Sequence, residues 1–282
     1  MERALVIGGK GFIGGAVTRL LRASGYDAAT YDLVDEQNVN DIPLLEAEIS
    51  GSTVVFDCAG ILGSAETFDY IRETVAANVN GVLNVLEVCE KYHVPMVFMS
   101  LKNDWNNPYM ITKHAATRFC LMYHEYRNLP VAVIRGLNAY GPGQHWGTVR
   151  KVVPTFCVKA LNHEPLTVYG DGKQIADMIY VDDLAEVMIR AWEKQAWGQV
   201  IDGGTGVPVR IIDLAKKVIA LTDSDSRIEH APMRPGEPEH AIALADPVDM
   251  VRKLGFYPHT SLDEGLAQTV TWYRENWKDA KR

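Results

Sequence analysis

Two side chains with acid–base chemistry are spaced one helical turn apart, at Tyr109 and Lys113. Residues four apart on a helix lie on the same face, so the phenol and the ammonium group would be neighbours. A cation beside a phenol stabilises the phenolate and lowers the tyrosine pKa from about 10 toward neutral pH. The pair is therefore predicted to exchange a proton with a substrate hydroxyl. This spacing is common by chance, so its interpretation depends on the elements around it.

The strongest of those elements is a glycine-rich segment near the start of the chain. An apolar run at residues 5–7 is followed by spaced glycines and then by an apolar-periodic segment, which predicts a strand, a tight turn and a helix. The N–H groups of Phe12 and Ile13 and the positive end of the helix dipole would bind a pyrophosphate. The glycines supply the turn, the close approach of a ligand to the backbone and the packing of helix on strand. They are Gly8, Gly11 and Gly14.

An acid follows the second predicted strand at Asp32. It lies where a dinucleotide-binding fold places the carboxylate that accepts the adenosine ribose hydroxyls. A carboxylate there would repel the additional phosphate of NADP, so NAD is the predicted cofactor. The alternative is that Asp32 only caps a turn.

Strand-like and helix-like segments alternate through the first half of the chain, which is typical of a parallel sheet with crossover helices. The predicted fold class is α/β, with a doubly wound parallel sheet (a Rossmann fold) and a smaller C-terminal α/β lobe that binds the substrate. The predicted strands cover residues 4–8, 28–32, 54–58, 96–100 and 131–135. Later segments predict a helix at 152–161, a strand at 166–169 and a last helix at 262–277.

Composition limits the other possibilities. A chain of 282 residues that is 47% hydrophobic can bury a large core. The net charge of −8 argues against a binder of nucleic acid or of an anionic membrane. The four cysteines are widely spaced and the eight histidines are scattered, so neither disulfides nor a metal site is expected. The first predicted strand leaves no room for a signal peptide, and no apolar run is long enough to span a membrane, so a cytoplasmic protein is expected.

The glycine spacing G-x-x-G-x-x-G and the Y-x-x-x-K pair resemble the short-chain dehydrogenase/reductase superfamily, in its extended branch of nucleotide-sugar epimerases and dehydratases. Further segments are similar to motifs of that branch: residues 134–144 to L-R-x-x-N-V-Y-G-P, residues 165–183 to P-L-x-V-Y-G-D-G-x-Q-x-R-D-x-x-Y-V-D-D, and residues 234–237 to R-P-G-(D/E). The resemblance covers nearly the whole chain.

The resemblance implies further cofactor contacts beyond the glycine segment. Asp41 and Ile42 would lie against the adenine, although Asp41 could equally cap the helix at 43–49. Ala59 and Gly60 would lie under the phosphates and ribose of NAD, and Asn78 would support the cofactor site. Lys113 would also bind the nicotinamide ribose.

The resemblance also implies a substrate site. Asn138 would contact the phosphate or sugar, and Tyr169 belongs to a matched substrate-lobe motif. Arg234 would pair with the nucleotide diphosphate, because a forked guanidinium suits phosphate oxygens. Glu237 would accept the nucleoside ribose hydroxyls.

Two positions depart from the family pattern. Ser100 matches a catalytic-site serine, but Leu101 follows it where the family has a catalytic serine or threonine, so Leu101 is interpreted as a wall of the substrate pocket. Ala176 precedes Asp177 where the family usually has a phosphate-binding arginine, for which Arg150 and Lys151 are conceivable substitutes. The dehydratase triplet T-D-E is also absent, which leaves Asp104 as the nearest candidate for an additional acid or base.

The sequence as a whole predicts an NAD-dependent epimerase of a nucleotide-activated sugar, acting through a keto-sugar intermediate. A dehydratase or decarboxylase is the alternative, and an NAD-binding regulatory protein with a decayed active site is the alternative from another class. The NAD-binding domain would cover residues 1–145, with 178–204 returning to it, and the substrate lobe mainly 146–282. By resemblance, a homodimer would form through the helices 76–92 and 108–127. Apolar residues on them that exceed the needs of one sheet face are Val85, Val88, Phe119, Leu121, Met122 and Tyr123.

Overall fold

Short strands and helices alternate along the chain, whose residues 2–281 are described by a computed structural model. The strands are β1 (Arg3–Ile7), β2 (Asp27–Tyr31), β3 (Val54–Asp57), β4 (Met96–Leu101), β5 (Val131–Gly136), β6 (Asn138–Tyr140), β7 (Leu166–Tyr169), β8 (Ile175–Tyr180), β9 (Val200–Gly203), β10 (Pro208–Arg210), β11 (Ile228–Ala231) and β12 (Ile242–Ala243). The helices are α1 (Phe12–Ala23), α2 (Ile42–Ile49), α3 (Ile71–Val75), α4 (Gly81–Tyr92), α5 (Pro108–Arg127), α6 (Val152–Leu161), α7 (Val181–Glu193), α8 (Ile211–Thr222), α9 (Val248–Leu254) and α10 (Leu262–Asn276).

The main sheet has six parallel strands in the order β2-β1-β3-β4-β5-β9. Residues of α1, α7 and α9 form an apolar core on one face of this sheet, and residues of α2, α4 and α5 form a second core on the other face. The predicted doubly wound α/β fold is therefore confirmed. The buried strands read as continuous apolar runs because helices cover both faces.

The strand order reverses between β1 and β3, which leaves a crevice at the carboxyl ends of these two strands. Ligands of such sheets bind outside this switch point. The loops after the two strands are in close contact here. A Cβ added to Gly8 would lie 2.9 Å from the backbone nitrogen of Ala59.

A smaller lobe follows β5. In it, β8 pairs with β6, β10 and β12, while β7 pairs with β11. Helices α6, α8 and α10 enclose a third apolar core with these strands. Between parts of the lobe, α7 and β9 return to the main sheet.

The predicted helix at 76–92 is interrupted. A π-helical turn at Ala76–Asn80 connects α3 to α4, and such turns occur often at functional sites. The five predicted strands of the first half agree with the structure to within one residue at each end. Among the described residues, no helix is both long and apolar enough to cross a membrane.

Candidate active site

The glycine segment forms a cradle between β1 and α1. Gly8 has a positive φ of 73°, and its N–H donates to the carbonyl of Tyr31 at 2.8 Å. A Cβ on Gly14 would lie 2.2 Å from the carbonyl oxygen of Gly8, so only glycine fits there. Gly11 is the N-cap of α1, and no side chain caps that helix. The first N–H groups of α1, at Phe12 and Ile13, therefore have no side-chain acceptor, which fits a site for a pyrophosphate.

The carboxylate of Asp32 lies against this cradle. One oxygen accepts from the backbone N–H of Lys10 at 2.8 Å, and the other accepts from Val34 at 3.1 Å. Asp32 therefore caps the short 3-10 helix at Leu33–Asp35, as the alternative held, and it also lies beside the glycine loop. The ammonium group of Lys10 is paired with Asp35, so the only cation of the glycine loop is already neutralised.

Asn78 connects the loop after β3 to the helix that carries Tyr109. Its amide accepts from the N–H of Ile61 at 2.7 Å and donates to the carbonyl of the same residue at 2.9 Å. It also donates to the Thr112 hydroxyl at 3.1 Å. A Cβ on Gly60, which follows Ala59, would lie 2.8 Å from the Asn78 oxygen. The backbone at Ala59 and Gly60 is thus held open at the carboxyl end of β3.

Asp41 caps α2, because its carboxylate accepts from the N–H of Leu44 at 3.2 Å. The capping role foreseen for Asp41 is therefore present in the structure. Ile42, the next residue, packs against the core on the α2 face of the sheet.

Tyr109 and Lys113 both lie in the first turns of α5, but the ammonium group does not act on the phenol as the sequence led us to expect. The Lys113 Nζ lies 4.2 Å from the centre of the buried Phe98 ring of β4. Burial raises the pKa of Tyr109 to about 12, and Lys113 does not offset this. The expected lowering of the tyrosine pKa is absent because desolvation penalises the phenolate and the cation points elsewhere.

The counter-charge of Lys113 is Asp57 at the end of β3, a residue that the sequence did not single out. Asp57 is 1% exposed and pairs in register with Phe98. Burial raises the pKa of Asp57 to about 6, although Lys113 opposes the change. Burial also lowers the pKa of Lys113, and Asp57 opposes that shift. The sequence does contain a signal for this buried charge, because Asp57 is a charged residue at the end of an otherwise apolar strand.

Ser100 is buried and its hydroxyl is bonded to α5. Its Oγ lies 2.6 Å from the hydroxyl of Thr117, which itself donates to the carbonyl of Lys113 at 3.0 Å. The serine therefore donates to Thr117 and connects β4 to α5, and its catalytic role stays a prediction. Leu101 is 7% exposed at the end of β4, opposite Gly136. Asp104, the candidate additional acid, is exposed.

Arg234 is the centre of a charged cluster between the two parts of the chain. Its guanidinium donates to Glu237 with two nitrogens and to Glu66 at 3.1 Å. Glu66, which sequence reasoning missed, precedes α3 and also accepts from the N–H of Arg150 at 3.1 Å. The residues expected to hold diphosphate and ribose, Arg234 and Glu237, are thus paired with each other.

Two further cations belong to this cluster. The Arg150 guanidinium donates to the hydroxyl of Tyr169, and the Arg234 guanidinium lies 5.6 Å from the centre of the same ring. Burial and the charge of Arg234 lower the pKa of Lys151, while Glu66 and Glu237 raise it. Three cations therefore face two carboxylates, which leaves an excess of positive charge for an anionic ligand.

Asn138 and Asp177 are held by the backbone of the lobe. The Asn138 amide donates to the carbonyl of Asp177 at 3.1 Å. The Asp177 carboxylate is fully buried and accepts from Thr205, Gly206 and Ala245. Asp177 therefore has a structural role that the sequence did not reveal. In the described part of the chain, no group of His, Cys, Asp and Glu side chains is arranged to hold a metal ion.

The chain is similar to known enzymes that act on nucleotide sugars. A family model described as "NAD dependent epimerase/dehydratase family" matches residues 4–202. The chain is 28% identical to a UDP-N-acetyl-alpha-D-glucosaminuronate decarboxylase of Bacillus cytotoxicus, over 97% of this chain and 98% of that protein.

Two solved structures resemble this one closely in fold. The UDP-glucose 4-epimerase of Thermotoga maritima with UDP-glucose has a TM-score of 0.90 and 27% identity, covering 97% of this chain and 99% of that one. The enzyme WbmF of Bordetella bronchiseptica in complex with NAD+ and UDP has a TM-score of 0.87 and 25% identity, covering 99% of this chain and 94% of that one.

Proposed function

The chain belongs to the NAD-dependent epimerase/dehydratase family, an enzyme family that acts on nucleotide sugars, and from that premise we propose that it is an epimerase of a nucleotide-activated sugar. One observation carries the proposal. The Asn107 side chain, two residues before Tyr109, donates to the carbonyl of Gly236 at 3.0 Å, so the loop of Arg234 lies against the helix of the acid–base pair. This contact supports a site in which proton transfer and phosphate binding would be neighbours.

NAD fits the cradle at the switch point of the sheet. The N–H groups of Phe12 and Ile13 would hold its pyrophosphate, and Asp32 would accept its ribose hydroxyls. The loop at Ala59 and Gly60 leaves room at the end of β3. Adenine contacts by Asp41 and Ile42 remain part of the proposal. When bound there, NAD would supply reversible hydride transfer at a sugar carbon.

The chain's own residues would then move the proton. Tyr109 takes it from the sugar hydroxyl as the carbon is oxidised to a ketone, and returns it when the carbon is reduced. If the keto sugar turns between the two proton transfers, that carbon would be inverted with no net redox change. Because burial raises the pKa of Tyr109 to about 12, the reaction needs the Lys113 ammonium group near the developing phenolate. Lys113 must therefore approach Tyr109, and also the nicotinamide ribose, in the working complex.

Leu101 leaves no hydroxyl at the position after Ser100, so Tyr109 would contact the sugar hydroxyl directly. Arg234, Arg150 and Lys151 would hold the diphosphate, with Arg150 and Lys151 compensating for the alanine at position 176. Tyr169, Glu237 and Asn138 would line the nucleotide side of the cleft.

A decarboxylase is the second candidate, because one relative that matches nearly the whole chain is a UDP-N-acetyl-alpha-D-glucosaminuronate decarboxylase. A dehydratase is less well supported, since Asp104 is exposed and follows the strand end without the T-D-E triplet. All three reactions share the oxidation step at Tyr109.

The test is incubation of the protein and NAD with UDP-, dTDP- and GDP-linked sugars and uronates, followed by mass spectrometry and NMR. An epimerase yields a product of unchanged mass with an inverted carbon. Loss of water identifies a dehydratase, and loss of carbon dioxide a decarboxylase. No conversion of any of these compounds would favour the regulatory NAD-binding protein.

We further propose a cytoplasmic homodimer formed through α3, α4 and α5. Val85, Val88 and Tyr123 were expected to be available for the dimer contact, but they are buried in the chain's own core. Phe119, Leu121 and Met122 remain partly buried, and Ile71, Val75 and Ile111 are exposed on the same group of helices. Light scattering at micromolar concentration should give a dimer mass. The four cysteines are unpaired, which agrees with a reducing compartment.

A further inference from the structure

Asn107 uses both ends of its side-chain amide, one on the catalytic helix and one on the substrate lobe. Its oxygen accepts from the N–H of Met110 at 2.9 Å and caps α5. Its nitrogen donates to the carbonyl of Gly236 at 3.0 Å. Since the helix supplies a donor and the lobe supplies an acceptor, these partners fix the orientation of the amide. The residue is 1% exposed.

The loop that contains Gly236 packs closely against residues of the larger, dinucleotide-binding part of the chain. Gly236 has a φ of 75°, and a Cβ there would lie 2.8 Å from the Cβ of Asn107 and 3.0 Å from the ring of Phe68. Two residues earlier, Arg234 is bonded to Glu66, from the same short 3-10 helix as Phe68. The loop therefore contacts the dinucleotide domain at three side chains, and one of them starts the helix of Tyr109.

We infer that Asn107 is a positioning residue that couples the occupancy of Arg234 to the placement of the Tyr109 hydroxyl. The inference rests on the proposed function in taking Arg234 as the contact for the substrate diphosphate. A ligand that replaces Glu66 or Glu237 on Arg234 alters the loop, and Gly236 passes the change to Asn107. The first turn of α5, with Tyr109, moves with its cap.

Helix capping alone does not account for this residue. A cap needs only the side-chain oxygen, and aspartate or serine supplies one as well as asparagine does. The N–H donor of Asn107 is therefore specific to the contact with the lobe. This division of the side chain allows the two roles to be separated by substitution.

Asn107→Asp keeps the capping oxygen and removes the donor, whereas Asn107→Ala removes both. We expect Asn107→Asp to lose thermal stability, because it places a buried carboxylate against the Gly236 carbonyl, and to bind NAD with unchanged affinity at a temperature where it is folded. Its kcat for the nucleotide sugar should fall about tenfold or more, with a smaller change in KM, within the usual range of coupling between sites. Asn107→Ala should also lose thermal stability. An unchanged kcat in Asn107→Asp would overturn the inference. A loss of kcat that is fully explained by a smaller folded fraction would overturn it as well.

A second measurement needs neither ligand nor turnover. Hydrogen exchange of the peptide covering residues 107–113 is compared in wild type, Arg234→Ala, Asn107→Asp and the double variant. Coupling predicts that Arg234→Ala speeds exchange there in the wild-type background and has little effect in the Asn107→Asp background. Equal effects in both backgrounds would overturn the inference. If coupling is seen but no nucleotide sugar is converted, the proposed function fails and the coupling stands.

Discussion

The Arg234 guanidinium, between β11 and β12 of the smaller lobe, lies 3.1 Å from the Glu66 carboxylate, in the 3-10 helix between β3 and α3. Both side chains are about 85% buried, at 15% and 13% exposure, so this ion pair is shielded from solvent. A second carboxylate, Glu237, occupies the other edge of the guanidinium. A diphosphate that binds Arg234 must therefore displace or share at least one carboxylate.

We expect Arg234→Ala to weaken binding of UDP, dTDP or GDP more than binding of NAD. Charge-assisted bonds of this kind contribute roughly 1.5–3 kcal/mol, or about tenfold to a hundredfold in affinity. Calorimetric titration measures both ligands. Arg252→Ala, which removes an exposed ion pair on α9, is the control and should change neither. Unchanged nucleotide affinity in Arg234→Ala would place the phosphate site elsewhere.

The Asp32 carboxylate should make the protein prefer NAD to NADP by at least about tenfold, or roughly 1.4 kcal/mol. Its carboxylate accepts from the Lys10 N–H of the glycine loop, so a phosphate bound beside that loop would meet a negative charge. Asp32→Asn should reduce the ratio of NAD affinity to NADP affinity. Asp27→Asn, at the exposed start of β2, is the control and should leave this ratio unchanged. Competitive titration with the two dinucleotides measures the ratio. Equal affinities in the wild type would refute the assignment.

Leu101→Ser should leave turnover within about tenfold of wild type or raise it. A hydroxyl there can donate one hydrogen bond to the sugar, worth ~1 kcal/mol. The measurement is kcat/KM on the best nucleotide sugar, with melting temperature as the check on folding. A much larger fall with folding intact would mean that the leucine is fitted to an unusual substrate.

Asp57 should give the protein a distinct pH dependence of stability. Its pKa is raised from 3.8 to about 6 in the folded state, so between these values the native state holds more protons than the unfolded state. The stability that it contributes is present below pH 4 and is lost as pH rises through about 6, a change of about 3 kcal/mol. Asn at this position cannot ionise.

The free energy of unfolding of Asp57→Asn, measured in urea from pH 4 to pH 7, should therefore fall less with rising pH than that of the wild type. Parallel curves for the two proteins would show that the Asp57 carboxyl does not titrate in this range.

The sequence predicted the sheet well because its signals are local. Apolar runs separated by helical periodicity identify the strands, and the glycines after β1 identify the turn that positions α1. The prediction of a single helix at 76–92 was less accurate, because the π-helical turn around Asn78 depends on contacts with Ile61 and Thr112. The local sequence pattern of that segment does not predict such contacts.

The candidate site was predicted as a set of residues but not as a set of contacts. The bonds Glu66 to Arg234 and Asn107 to Gly236 join residues far apart in the chain, and spacing gives no information on them. The direction of the Tyr109 pKa shift was wrong for a related reason. It depends on how deeply the phenol is buried and where Lys113 points, and both are set by tertiary packing.

The proposed chemistry depends on the Tyr109 hydroxyl, which Tyr109→Phe removes while the ring still packs in α5. The direct measurement is kcat of wild type and variant with NAD on the nucleotide sugar that the wild type converts best. NAD affinity and melting temperature serve as controls. We predict a loss of ~10²–10⁴ in kcat with both controls unchanged. Near wild-type turnover by Tyr109→Phe would contradict the account, because the proton would then be moved by another group.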